Sequence, residues 1–163
     1  MRIYRISNYR DLNGEGGRRT AGRWHSKGRR IVYCADTAAA AMLEAIAYVA
    51  RGNPALIPSS FELLTIELPD KVGREVVSRK QLSADWQNKP AQTRATGDAW
   101  LTAGKSAVLV VTSALAPDTE NYLLNPAHAD LQPPEGGRIR IVEAAHYPFD
   151  SRLFQGPLFD NNR

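Results

Sequence analysis

The sequence predicts a single mixed α+β domain. Three observations carry this reading. At 163 residues the chain has the length of one domain with its own hydrophobic core. Several separated windows show strand patterning while only two show helical patterning, so strands and helices do not alternate regularly as a parallel α/β sheet requires. Nothing along the chain reads as an internal repeat, a linker or a second domain.

The elements follow in order. Met1 to Ile6 alternates around Ile3, Tyr4 and Ile6, with Arg2 and Arg5 between, and is expected as the first strand. Ser7 to Gly22 is expected as a loop, because Asn13-Gly14-Glu15-Gly16-Gly17 disfavours regular structure. Such a loop can lie over a ligand. Arg30 to Cys34 is the second strand. A helix follows through Ala50, capped by Asp36 or Thr37, with Ala39, Met42, Leu43, Ile46, Val49 and Ala50 as its expected buried face. Gly52-Asn53-Pro54 stops it.

Ser60 to Leu68 alternates as a strand and ends at Pro69-Asp70. Lys71 to Pro90 is less regular, with a short apolar piece at Val76-Val77 and a lone Trp86. Ala91 to Thr102 is the second helix, weakened by Gly97. Ser106 to Thr112 is apolar enough to be buried on both faces. Asn121 to His128 contains a short strand or a turn ending at Pro126. Gln132 to Gly137 is a turn, Arg138 to Ala144 a last strand, and Pro148 to Phe154 a docked tail, with Leu158 to Arg163 frayed.

Composition narrows the chemistry. No apolar run approaches membrane-spanning length, and Met1-Arg2-Ile3-Tyr4-Arg5 lacks the apolar stretch of a signal peptide. Cys34 is the only cysteine, so no internal disulfide forms, and a reducing cytoplasm is expected. The net charge of +4 is modest, but Arg18, Arg19, Arg23, Lys27, Arg29 and Arg30 crowd into one short stretch. Only Trp24 and Tyr33 accompany them, too few aromatics for a single-strand stacking platform. Phosphate on a compact ligand fits this cluster better than a nucleic-acid groove.

Among chemical signatures, a Walker loop, a Gly-x-Ser-x-Gly elbow, paired cysteines and His-x-x-x-His are missing. His25, His128 and His146 are far apart in sequence, so no metal site is expected. Cys34 sits mid-strand, where a structural thiol is the commoner case. Four polar residues remain. Glu44 is the one charge between Asp36 and Arg51. Its helical neighbours Ala40, Ala41, Ala47 and Tyr48 offer no basic partner, so it either faces solvent or is partly buried with a partner from elsewhere. Arg23 lies beside Gly22, and its fork suits a phosphate; the plain alternative is a surface arginine. Tyr33 closes a strand, where packing is the usual role, and Ser113 either points into a cleft or begins a turn.

These residues occur in a joint arrangement: Gly22-Arg23-Trp24, then Val32-Tyr33, then Met42-Leu43-Glu44, then Thr112-Ser113 and Asn121-Tyr122-Leu123-Leu124-Asn125-Pro126-Ala127-His128. This resembles the RES domain family, named for its arginine, glutamate and serine. The resemblance runs from Tyr4-Arg5-Ile6 to Asp150-Ser151-Arg152-Leu153-Phe154, giving a domain over residues 1–154 and a C-terminal extension over 155–163. The sequence departs from the expected pattern at Ala21, where a second glycine is usual, at Tyr48 for histidine, at Ala129 for proline, and in the residues from Leu158 onward.

The resemblance implies a fold like that of ADP-ribosyltransferases and a role as the toxin of a bacterial toxin–antitoxin pair. The implied substrate is NAD, consumed by a glycohydrolase, by a phosphorylase when phosphate is the acceptor, or by transfer of ADP-ribose to a protein. The implied partner is a helix-turn-helix antitoxin of the Xre type, through which any DNA contact would run. The implied roles place Glu44 at an oxocarbenium-like ribose and Arg23 at the pyrophosphate, with Tyr33 against the nicotinamide or its ribose and Ser113 bonding nearby. Arg5 is expected to help bind NAD, and no metal is implied. A rival from another class is an RNA-binding toxin or regulator that uses the Arg18–Arg30 cluster and is indifferent to Glu44.

Overall fold

The computed structural model describes residues 1–50, 60–116, 118–132, 137–148, 150 and 152. The strands are β1 (Arg2–Ser7), β2 (Val32–Ala35), β3 (Ser60–Glu67), β4 (Arg74–Val77), β5 (Val108–Thr112), β6 (Glu120–Leu124) and β7 (Arg140–Pro148). The helices are α1 (Glu15–Arg19), α2 (Ala38–Ala50) and α3 (Pro90–Ala103). All seven strands form one sheet in the order β4-β5-β6-β2-β1-β3-β7. Every pairing is antiparallel except β4 with β5. This is the mixed α+β sheet that the sequence predicts.

The two faces of the sheet are read directly from strand alternation. Ile3, Val32, Cys34, Leu64, Val108, Val110, Tyr122 and Leu124 pack together on one face. On the other face the cover is in two blocks. Leu109, Val111 and Leu123 meet Trp24, Trp86 and Trp100, with Tyr33 against them. Ala35 meets Ala40 and Ala41 of α2, with Tyr4 and Ile6 against them. The seam between the blocks crosses β2, where Tyr33 packs with the first and Ala35 with the second. The sheet is also thinly stitched beneath it, since β1 and β2 share the single register pair Tyr4 with Ala35.

Several local expectations are corrected. The glycine-rich stretch carries the five-residue helix α1. Gly14 takes φ +69 to start it, and Glu15 pairs with both Arg18 and Arg30 across it. Val76-Val77 belongs to the edge strand β4. Of the two alternatives for the stretch from Asn121, the strand holds: Glu120–Leu124 is the central strand β6, bonded on both sides. The last strand continues to Pro148 rather than ending at Ala144. The Gly52-Asn53-Pro54 stop, most of the proposed tail, and the 155–163 extension lie outside the described residues.

The buried face of α2 also differs from expectation. Ala40 and Ala41 are buried, whereas Ala39 is exposed and Leu43 is 41% exposed. Small side chains let the helix axis lie close to β1 and β2, and they win over the larger apolar ones. Thr37 supplies the cap, its Oγ1 accepting from the Ala40 N–H at 3.1 Å. Glu44 follows Ala40 and Ala41 by one helical turn, so it shares their inward side.

α3 holds the Gly22–Ser26 segment by its main chain. Arg94 Nε donates to the Gly22 carbonyl at 2.7 Å, Thr93 Oγ1 to the Arg23 carbonyl at 2.7 Å, and the Ser26 N–H to Asp98 at 3.0 Å. Gly97, the residue that weakens the helix on propensity, is required by this contact: a Cβ there would collide with the Trp24 carbonyl oxygen. Gly97→Ala is therefore expected to lose about 3 kcal/mol or more of stability. Urea denaturation measures this, and the small gain that alanine brings to an ordinary helix interior would contradict it.

Candidate active site

Glu44 is brought from α2 across the seam to the far end of the β5–β6 hairpin. Its Oε1 accepts from Ser113 Oγ at 2.9 Å and from Asn121 Nδ2 at 2.7 Å. The hydroxyl of Ser113 is itself fixed, accepting the Leu115 and Ala116 N–H groups at 3.1 Å each. Asn121 stands beside Val111 on β5 and Ala35 on β2, which aims its side chain into the seam. One oxygen of the carboxylate is thus locked by two donors. Glu44 Oε2 makes no hydrogen bond among the described residues.

The lock has a cost. Asn121 Oδ1 is buried without a hydrogen-bond partner. Such an orphan acceptor costs about 1–3 kcal/mol. Turning the amide over would set that oxygen against the carboxylate, so the Glu44 bond fixes its orientation. Stability is given up where a carboxylate is held in place, as expected of a functional site.

Tyr33 sits at the middle of the seam. Its hydroxyl accepts from the Trp24 N–H at 3.1 Å and lies 2.8 Å from His25 Nδ1. His25 Nε2 lies 3.1 Å from the Thr20 carbonyl, which can only accept. The Nε2–H tautomer follows, with Tyr33 donating to Nδ1. Burial pushes the Tyr33 phenol well above the usual tyrosine range, and the Glu44 carboxylate adds to it, while Arg94 and Arg23 act in the opposite direction. Glu44, Arg94 and Arg23 therefore all lie within electrostatic reach of this hydroxyl.

Burial lowers the His25 pKa from its ordinary value of 6.5, so the folded protein holds the ring neutral. The unfolded chain binds a proton there first as pH falls, which favours unfolding. This contribution is fully present above about pH 6.5 and is lost as pH drops toward the folded value. Stability measured by urea denaturation is expected to decline below pH 6.5, with His25→Gln flattening the decline. An unchanged slope in that variant would contradict the assignment.

Arg23 reaches back toward the α3 block. Its Nη1 donates to the Gln87 carbonyl at 2.7 Å, and its guanidinium carbon lies 5.6 Å from the centre of the Trp86 ring. Trp86 is fully buried and packs on Trp24 with ring centres 5.9 Å apart. The arginine thus lies on the buried Trp86–Trp24 pair.

Of the residues singled out from sequence, Glu44 and Ser113 are in direct contact, and Glu44 and Arg23 both act electrostatically on the Tyr33 hydroxyl. Arg5 is not brought to the group in the same way. Its register partner is Leu64, on the opposite face, and its Nη1 donates to the Tyr33 main-chain carbonyl at 3.0 Å. Its Nε is buried without a partner, and burial lowers its pKa. Cys34 also lies on that opposite face, and burial pushes its thiol up to about 12. Among the described residues no three His, Cys, Asp or Glu side chains gather as metal ligands.

Asn121, His25, Trp86 and Arg94 were not chosen as site residues from sequence. Asn121 carried a usable signal: an amide in the otherwise apolar run Tyr122-Leu123-Leu124 is poor strand material unless it has a partner to serve.

These groups make a candidate site on one face of a mixed α+β sheet, with Glu44, Arg94 and Arg23 all acting on the Tyr33 hydroxyl. Comparison with known proteins gives the family. The RES domain matches residues 2–150. Toxin Res of Pseudomonas putida is 40% identical over 157 residues, which is 94% of this chain and 100% of that protein. Prs ADP-ribosylating toxin of Sphingobium sp. is 34% identical over 134 residues, 80% of this chain and 81% of that protein. A chain in the crystal structure of the M. tuberculosis MbcT–MbcA toxin–antitoxin complex superposes with a TM-score of 0.67 at 24% identity, covering 90% of this chain and 84% of that one. The chain belongs to the RES domain family, and the members it matches at full length are toxins by name. No helix among the described residues is long and apolar enough to cross a membrane.

Proposed function

We propose that this protein is the toxin of a cytoplasmic toxin–antitoxin pair and acts by cleaving the nicotinamide–ribose bond of NAD. The observation that carries this reading is the locked Glu44 carboxylate, with one oxygen bonded to Ser113 and Asn121 and the other unbonded among the described residues. Breaking the bond sends its electron pair to nicotinamide and leaves positive charge on the ribose C1′ and ring oxygen. A carboxylate already fixed beside that carbon stabilises the charge without reorganising. Tyr33 supplies a wall for the nicotinamide ribose, and Arg23 lies where the pyrophosphate would run. Water attack at C1′ then gives ADP-ribose, nicotinamide and a proton; phosphate attack gives a phosphorylated ADP-ribose. The partner is an antitoxin of the helix-turn-helix Xre type that covers this seam.

A second reading keeps the same bond cleavage but passes ADP-ribose to a protein. It is favoured by the 34% identity to a relative named as a Prs ADP-ribosylating toxin. An RNA-binding role is not favoured, because Arg18 and Arg30 share Glu15 and Arg29 lies beside Asp98, so half of the six-residue basic cluster is already paired with carboxylates. Separation of the products of NAD incubated with pure protein decides the acceptor. ADP-ribose alone indicates water, a phosphorylated product appearing only with phosphate indicates phosphate, and label retained on protein from a cell extract indicates transfer. Intact NAD under all three conditions would remove the proposal.

A further inference from the structure

Arg94 lies outside the basic cluster of the sequence and more than sixty residues from Gly22, yet α3 sets it against the seam. Its Nε donates to the Gly22 carbonyl at 2.7 Å. Gly22 in turn abuts the site: a Cβ there would come within 2.6 Å of the Tyr33 hydroxyl and 2.7 Å of the His25 ring. The guanidinium is therefore one residue removed from the hydroxyl at the centre of the seam. Thr93 Oγ1 donates to the Arg23 carbonyl and Asp98, one turn further along α3, takes the Ser26 N–H at 3.0 Å, so with Arg94 the helix is fixed against the loop at three points.

Among the described residues nothing bonds to Nη1 or Nη2 of Arg94, and no carboxylate pairs with it. The side chain is half-buried. An arginine anchored at Nε with its two Nη groups unused is a preorganised fork for an anion with two oxygens in one plane. Arg29 and Arg30, by contrast, already have carboxylate partners.

We propose that Arg94 is a second anion-binding arm of this site, gripping the pyrophosphate of the dinucleotide from the α3 side while Arg23 stands opposite on Trp86. This rests on the NAD reading above. It makes the small size of Gly22 a condition of binding as well, because a side chain there would separate the fork from Tyr33. The arm acts on affinity, and the bond-breaking step is left to Glu44.

The test is calorimetric titration of wild type and Arg94→Gln with ADP-ribose and with nicotinamide riboside, which has no phosphate. Glutamine keeps an N–H for the Gly22 carbonyl while removing the charge and the fork. The Kd for ADP-ribose is expected to rise about tenfold or more, with riboside binding and melting temperature unchanged. Arg94→Lys, which keeps charge without the fork, is expected to fall between. If Arg94→Gln binds ADP-ribose like wild type, or weakens both ligands equally, the residue is only a structural tie and the proposal is overturned while the dinucleotide reading stands. If wild type binds neither ADP-ribose nor NAD, the dinucleotide reading fails and the Arg94 proposal falls with it.

Discussion

Glu44→Gln is expected to lower kcat for NAD cleavage about a thousandfold or more, equivalent to about 4 kcal/mol of transition-state stabilisation. The fold should be untouched. Glutamine has almost the same shape, and its carbonyl oxygen can keep accepting from Ser113 and Asn121, the two donors that now hold Oε1. What disappears is the negative charge facing the ribose. Because the substrate carries its own positive nicotinamide ring before cleavage, part of the loss falls on binding, but kcat should take the larger share. A rise in KM alone would mean that Glu44 binds substrate without stabilising the developing cation.

The second large effect is expected at the lock itself. Ser113→Ala removes the donor to Glu44 and also strips the Leu115 and Ala116 N–H groups of their shared acceptor. The turn between β5 and β6 loosens where the carboxylate is held. A fall in kcat of about 10- to 100-fold is expected, with about 1 kcal/mol of stability. Asn121→Ala should give a similar loss of kcat, and the double variant should approach Glu44→Gln, because one remaining bond orients the carboxylate and none does not. These residues act on the reaction through Glu44. Single and double variants compared at saturating NAD test this, and a double variant no worse than either single would contradict it.

Much of the architecture was readable along the chain because the relevant forces are local. Alternation in Ile3-Tyr4-Arg5-Ile6 and the apolar run at Val108–Val111 mark strands whatever lies beside them. The two long helices, α2 and α3, also show in the sequence close to their true bounds, whereas the short α1 does not. The inward side of α2 does not either, because ranking residues by hydrophobicity favours Leu43 and Ile46, whereas the close approach to β1 and β2 selects Ala40 and Ala41. Gly97 looked like a flaw for the same reason: propensity is a property of one helix, and the Trp24 carbonyl that demands glycine comes from another segment. The site was legible in part. The spaced polar residues suggested a joint purpose, but the contact between Glu44 and Ser113 joins residues 69 positions apart. Strand register decides it, and register cannot be seen in a window. Asn121, His25 and Arg94 were hidden in the same way.

The most direct test of the account is release of free nicotinamide from NAD by pure wild-type protein, measured against Glu44→Gln of equal melting temperature. The structure-based expectation is nicotinamide formed by wild type in step with NAD lost, and none above background from Glu44→Gln. Equal release by the two proteins, or none by wild type with every acceptor present, would contradict the assignment of the locked carboxylate as the centre of the chemistry.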